Sequence, residues 1–189
     1  MIFEAIHNGR KLNELSVVSS QAEHHAVLEP AAFLESLGVN VTRLEVDSIG
    51  SVDTSKIVGK NPTLGSFMLV NNEVGVINPI KQLSSKIHSL SSDALFHTDA
   101  VQALGKIDID VRELGVDLLT LSAHKIHGPK GIGARFIRRG IKIEPLLHGG
   151  AQERNRRGGT ESTALAVGFG EAIRQMQVTK TESRKHLKE

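Results

Sequence analysis

The sequence predicts an α/β fold of three layers, a mostly parallel sheet with helices on both faces. Three observations carry that prediction. Short apolar runs recur along the 189 residues, amphipathic stretches of helical period separate them, and the composition is globular, 39% apolar and 23% charged. Strands that alternate with helices pair in parallel and are covered on both sides. The length suffices for one domain with a real core.

Taken in order, residues 15–19 read as a strand and 26–37 as a helix, with Pro30 tolerable only in a first turn. Residues 41–46 and 66–70 read as further strands. Ile80, Leu83, Ile87 and Leu90 recur at helical spacing, and Asn78-Pro79 before them reads as a capping residue followed by a proline at the first helical position. Residues 94–97, 117–121 and 132–137 complete the strands. Leu165, Phe169, Ala172, Ile173 and Met176 mark a last helix. Residues 179–189 are strongly charged and read as an exposed helix end or linker.

Composition narrows function by exclusion. The chain has no cysteine, so it holds no disulfide, thiolate metal site or thiol nucleophile. Tryptophan and tyrosine are absent, leaving six phenylalanines; a base-stacking surface for nucleic acid needs more. No apolar run reaches the length of a membrane span, and residues 1–13 lack the pattern of a signal peptide. A soluble protein of the cytoplasm or an organelle matrix is the expectation, with no membrane or nucleic-acid partner. The net charge is +2, with the basic excess densest over 135–157. That stretch reads either as a solvated face or as an anion-binding region.

Ligands of open parallel sheets bind beyond the carboxyl ends of the strands. Polar residues follow four of the candidate strands there: Glu23-His24-His25, Asn71-Asn72-Glu73, Thr98-Asp99 with Gln102, and Ser122-Ala123-His124-Lys125. Each has a plain reading as well. His24 or His25 suits a helix cap, Asn72 a turn, Asp99 a cap, and Lys125 a solvated surface. Lys125 stands out by its setting, with an apolar strand before it and Gly-Pro-Lys-Gly-Ile-Gly (128–133) after it. Turns there would press the backbone close to whatever the lysine faces. A desolvated lysine can attack a carbonyl and form a Schiff base. Pyridoxal phosphate uses that chemistry, and it needs a lysine, an acid for its ring nitrogen and an anion site. Lys125, Asp99 and the neighbouring hydroxyls and amides fit this inventory. No Walker loop, G-x-G-x-x-G after a strand or HExxH is present, so no metal site is expected.

Four longer stretches carry a resemblance: VNNEVGVINPI (70–80), FHTDAVQALGKIDID (96–110), DLLTLSAHKIHGPKGIGARFIRR (117–139) and HGGAQERNRRGGTES (148–162). With SQAEHHAVLEP (20–30), they are similar to the cysteine desulfurases, pyridoxal-phosphate enzymes of the class V aminotransferase group. The resemblance implies the large domain of a fold-type I transferase, with Lys125 as the Schiff-base lysine. It places Asp99 on the pyridinium nitrogen, Gln102 and Asn72 near the ring hydroxyl, and His24 stacked on the ring. Ser122, Ala123 and His124 would line the phosphate end, with His124 also moving protons. Thr160, supported by Arg157, would reach the phosphate of a neighbouring subunit, which implies a homodimer.

The implied reaction takes L-cysteine to alanine and leaves persulfide sulfur for iron–sulfur assembly, passed to an acceptor protein. The chain is shorter than the family. Residues 1–175 are expected to form the cofactor domain, incomplete at its start, and 176–189 the beginning of a connecting helix. The small domain with its persulfide cysteine is expected to be missing, and the chain alone to be inactive. Two other readings remain: a class V aminotransferase or lyase that needs no cysteine, and a non-catalytic chain that pairs with a full-length desulfurase.

Overall fold

The structure, a computed structural model, describes residues 9–59 and 61–186. Six strands form one sheet: β1 (Ser16–Ser20), β2 (Asn40–Leu44), β3 (Leu64–Met68), β4 (Leu95–Asp99), β5 (Leu118–Ser122) and β6 (Gly133–Ile137). Their order is β2-β1-β3-β4-β5-β6. All neighbours are parallel except β5 and β6. The antiparallel edge has a simple cause, because the link from Ser122 to Gly133 is too short for a parallel crossover.

Each sequence-read strand is present, shifted by one or two residues. Val46 and Val70 fall outside β2 and β3 and form isolated bridges to Val52 and Ile77. Asp99 and Ser122 are the last residues of their strands, so both are held by sheet hydrogen bonding.

Helix α1 (His25–Ser36) packs on one face and α2 (Ile80–Leu90) on the other. Alternation along β1 separates the two contacts: Val17 joins Leu15, Val39 and Leu34 of α1, whereas Val18 joins the larger core with Phe67, Phe96 and Leu119. Into that core α2 sends Ile80, Leu83 and Ile87, all essentially inaccessible. Phe67 and Phe96 stack across adjacent strands with centroids 5.8 Å apart. A one-turn helix, α3 (Val111–Leu114), is capped by Asp110, whose carboxylate accepts from Arg112 N–H and Glu113 N–H. The last helix, α4 (Thr163–His186), continues ten residues past the Met176 where the apolar pattern ends.

Two expectations about caps need correction. Asn78 does not cap α2; Pro79 occupies that position. Asn78 is buried, and its carboxamide serves two backbone groups instead: Oδ1 accepts from Val52 N–H at 3.1 Å, and Nδ2 donates to Met68 C=O at 2.9 Å. Satisfying two buried groups outweighs one exposed cap. Pro30 lies inside α1 rather than in its first turn. The bond it forgoes is to Ala26 C=O, and Ala26 is exposed, so water can serve that carbonyl.

Replacing Asn78 by Ala strands a buried N–H and a buried C=O together. A loss of about 2–4 kcal/mol is expected in urea unfolding, against almost none for an exposed change such as Gln82→Ala.

Candidate active site

The strand order reverses direction between β1 and β3, since β1 leads outward to β2 while β3 begins the run toward β6. This reversal opens a crevice at their carboxyl ends, and the chain closes its floor with side chains. After β1 the turn folds Glu23 back under the crevice. Its Oε1 accepts from Ser20 Oγ–H at 2.7 Å and from Met68 N–H at 3.1 Å. Asn71 Nδ2 donates to Ala22 C=O at 2.8 Å. The turn before α1 is thereby fastened to the end of β3.

That fastening places His24. Its Nδ1 accepts from Ala26 N–H at 3.1 Å and caps α1, while the residue stays exposed. His24 therefore has the capping role, and its ring also lies near Asp99. The Asp99 carboxyl is raised above its ordinary value by burial, opposed by a 2.9 Å hydrogen bond from Val101 N–H and by the neighbouring His24. Burial also pushes the Glu23 carboxyl up to about 7, with the charge of Asp99 adding to the effect.

Lys125 rides on a 3₁₀ turn, Ala123–Ile126. Ala123 and Ile126 point into a cluster with Phe169 and Ala172 of α4. His124 and Lys125, between them, are exposed. Gly128 and Gly133 press the loop closely against the 3₁₀ turn and the end of β5. Gly128 N–H donates to Ala123 C=O at 2.9 Å. A Cβ at Gly128 would lie 2.9 Å from that oxygen and 3.1 Å from Ala172 Cβ. Ser122 Oγ and His124 Nδ1 are hydrogen-bonded at 2.7 Å. Lys106 donates to Gln102 Oε1 at 2.6 Å. Burial lowers the Lys106 amine below its ordinary value, and the charge of Lys125 lowers it further.

The sequence-read residues thus assemble in three groups: His24 with Asp99, Lys125 with Lys106 and Gln102, and Ser122 with His124. Asn72 is exposed; the turn after β3 is shaped by Asn71, whose Oδ1 accepts from Glu73 N–H and Val74 N–H. Thr160 is exposed on a loop held by Gln152, whose Oε1 accepts from Gly159 N–H at 3.1 Å. No hydrogen bond among the described residues joins Thr160 to Ser122 or His124.

Sequence reasoning gave Glu23 no role and missed a row that crosses the sheet. His97 Nδ1 bonds Ser66 Oγ and His97 Nε2 bonds Thr120 Oγ1, both at 2.8 Å. Burial, aided by Arg135, pushes this imidazole down to about 4. Its signal in the sequence is the pair His97 and Asp99 at alternate positions of β4.

The donor set suits pyridoxal phosphate. An amine, a half-buried carboxylate one strand away and a hydroxyl–imidazole pair lie along the carboxyl ends of β4 and β5. Ser19 Oγ and Glu23 Oε2, at the β1 end of the same crevice, are buried without a hydrogen-bond partner among the described residues. Also among the described residues, no cluster of three His, Asp or Glu is placed to hold a metal ion. No helix there is long and apolar enough to cross a membrane.

The profile of the aminotransferase class-V family matches residues 2–189, and the chain belongs to that family. Class V aminotransferases use pyridoxal 5'-phosphate, the cofactor expected from the sequence. Cysteine desulfurase IscS of Dictyoglomus turgidum is 54% identical over 160 residues, 83% of this chain and 40% of the relative. The mitochondrial cysteine desulfurase of Saccharomyces cerevisiae is 42% identical and matches 100% of this chain with 38% of its own. Among solved structures, a NifS-like protein superposes with a TM-score of 0.89 at 37% identity, covering 98% of this chain and 52% of that one. A structure of SspA in complex with cysteine gives 0.83 at 38%, covering 92% and 49%. The chain spans about 40% of the length of the curated relatives it matches.

Two outcomes follow from this geometry. Gly128→Ala should cost about 1–3 kcal/mol by overpacking the Lys125 turn, read as a lower urea midpoint. His97 titrates from 6.5 unfolded to about 4 folded, so the unfolded chain binds the extra proton and stability is lost as pH falls through that window. The stability difference between the parent and His97→Gln should shrink on acidification from pH 7 to pH 4.5, by up to about 3 kcal/mol.

Proposed function

We propose that the chain is the pyridoxal-phosphate-binding part of a cysteine desulfurase acting on L-cysteine. The observation that carries this is the crevice itself: His24 against Asp99 on one side, and Lys125 between a buried helix contact and Lys106 on the other. The names of the relatives support the substrate, and the complex of SspA with cysteine is a chemical parallel. In this reading residues 1–175 form the cofactor-binding body and 176–189 begin a connecting helix.

When bound, the cofactor supplies an electron sink for bonds at the substrate α-carbon. The residues of this chain do the rest. Lys125 would hold the cofactor through its amine and would carry a proton at Nζ. Lys106 stands near it, and its own amine is lowered below the ordinary value by burial and by the charge of Lys125. Asp99, at the rigid end of β4, holds the ring nitrogen protonated through the oxygen not used by Val101. His24 covers the ring face. Gln102 and Asn72 flank the ring hydroxyl. Ser122, the Ala123 N–H and His124 hold the phosphate end, and His124 also moves a proton.

Thr160 and Arg157 belong to a loop that serves a second copy or a full-length desulfurase. Glu153, Arg154 and Asn155 in that loop all adopt positive φ, from 49° to 62°. Left-handed backbone costs about 1–2 kcal/mol per residue, an expense that fits a loop shaped to meet a partner. A sulfur-acceptor protein downstream, for iron–sulfur assembly, and a place in the cytoplasm or an organelle matrix fit the relatives.

Adding pyridoxal phosphate to the purified chain should give the visible absorbance of a covalent lysine adduct, and Lys125→Ala should abolish it. A band that survives Lys125→Ala refutes the assignment. The 189 residues contain no thiol to receive sulfur. Alanine and sulfide should therefore not be released from cysteine by the chain alone; turnover at the rate of a full-length desulfurase would contradict this division of labour.

A further inference from the structure

Glu23 is the one buried acid at the crevice to which the cofactor reading gives no task. It is 6% exposed, and its two oxygens are unequal. Oε1 already accepts two hydrogen bonds, from Ser20 Oγ–H and Met68 N–H. Oε2 has no partner among the described residues. An ionised carboxylate would leave half its charge on Oε2 in a buried place, with no donor to meet it. That is the costly arrangement for a carboxylate. Protonation removes the cost, and the proton must sit on Oε2, because Oε1 is occupied as an acceptor.

The charged groups around it point the same way. From β4 the neighbour is Asp99, whose charge disfavours ionisation of Glu23; from β1 and β3 come Ser20 and the Met68 amide, which are uncharged. The nearby imidazole is His24, on Glu23's own turn, and its influence falls on Asp99.

Resting on the cofactor reading above, we infer that Glu23 is a positioning residue, held as the neutral acid. It fastens the His24 turn to β3 and leaves Asp99 the only carboxylate charge at the crevice. Ionising Glu23 sets two carboxylates side by side and loosens the junction that places His24 over Asp99. The sign follows from linkage. Glu23 binds its proton more tightly in the folded state, at about 7, than at the ordinary glutamate value of 4.5, so the folded state loses stability as pH rises from 4.5 to about 7. Glu23→Gln keeps a neutral group of the same shape, with an oxygen for both donors, and so lacks this loss. Glu23→Ala removes both hydrogen bonds.

The test uses the full chain without added cofactor. Carboxyl carbons of glutamate are labelled, and the Glu23 signal is assigned by its absence from Glu23→Gln. A midpoint near 7 is expected. A midpoint at the ordinary glutamate value, about 4.5, overturns the inference. In parallel, the melting temperature of the parent should fall relative to that of Glu23→Gln as pH rises from 5 to 8; a constant difference also overturns it. With pyridoxal phosphate added, Glu23→Gln should keep the visible band across that pH range while Glu23→Ala loses it at every pH. A band lost equally in both variants contradicts the positioning role. Persistence of the band in Lys125→Ala defeats the cofactor reading alone and leaves the Glu23 titration standing, so the two failures are distinguishable.

Discussion

The carboxyl edge of this sheet depends on how β1 and β3 are joined where their connections diverge. Parallel pairing holds the two strands only as far as Ser19 and Ser66. Beyond that point backbone hydrogen bonding cannot continue, and side chains take over. Glu23 ties the end of β1 to the Met68 amide, Asn71 ties the following turn to β3, and Asn78 ties β3 to the loop at Val52. Each uses a buried carboxyl or carboxamide to satisfy backbone groups that a packed apolar residue would leave orphaned.

The same economy has an electrostatic consequence. Burial drives Glu23 and His97 in opposite directions, the acid upward and the imidazole downward, and both end uncharged in mildly acidic solution. Their pH dependences therefore oppose each other between 4.5 and 6.5. Asp99 differs from both, because its burial is opposed by the Val101 N–H that donates to its Oδ1 and by the charge of His24.

Much of this was legible in the sequence, and the losses have physical causes. The strands stood out because β-branched runs ended in polar residues, and the edge rule for parallel sheets then located His24, Asp99, Ser122 and Lys125. Strand order was not legible, since register lies in contacts between distant segments. Asn71 and Asn72 illustrate the limit of resolution: two identical neighbours, one buried and shaping the turn, the other exposed. The Asn78-Pro79 pair has the composition of a helix start, yet burial gave Asn78 a different partner. Glu23 was overlooked beside two histidines because an acid next to a helix start resembles a solvated one. Only the fold shows that its side chain turns inward.

Lys125 shows why its turn tolerates so little variation. A short 3₁₀ segment has few hydrogen bonds of its own, and Ala123 and Ile126 are small anchors. Its position is therefore set from outside, by Phe169 and Ala172 of α4 on one side and by the Gly128 loop folded tightly against Ala123 on the other. Packing of this kind fixes backbone while the side chains of His124 and Lys125 stay exposed. The glycines after the lysine contribute to that packing, Gly128 against Ala123 and Ala172 and Gly133 against Leu121.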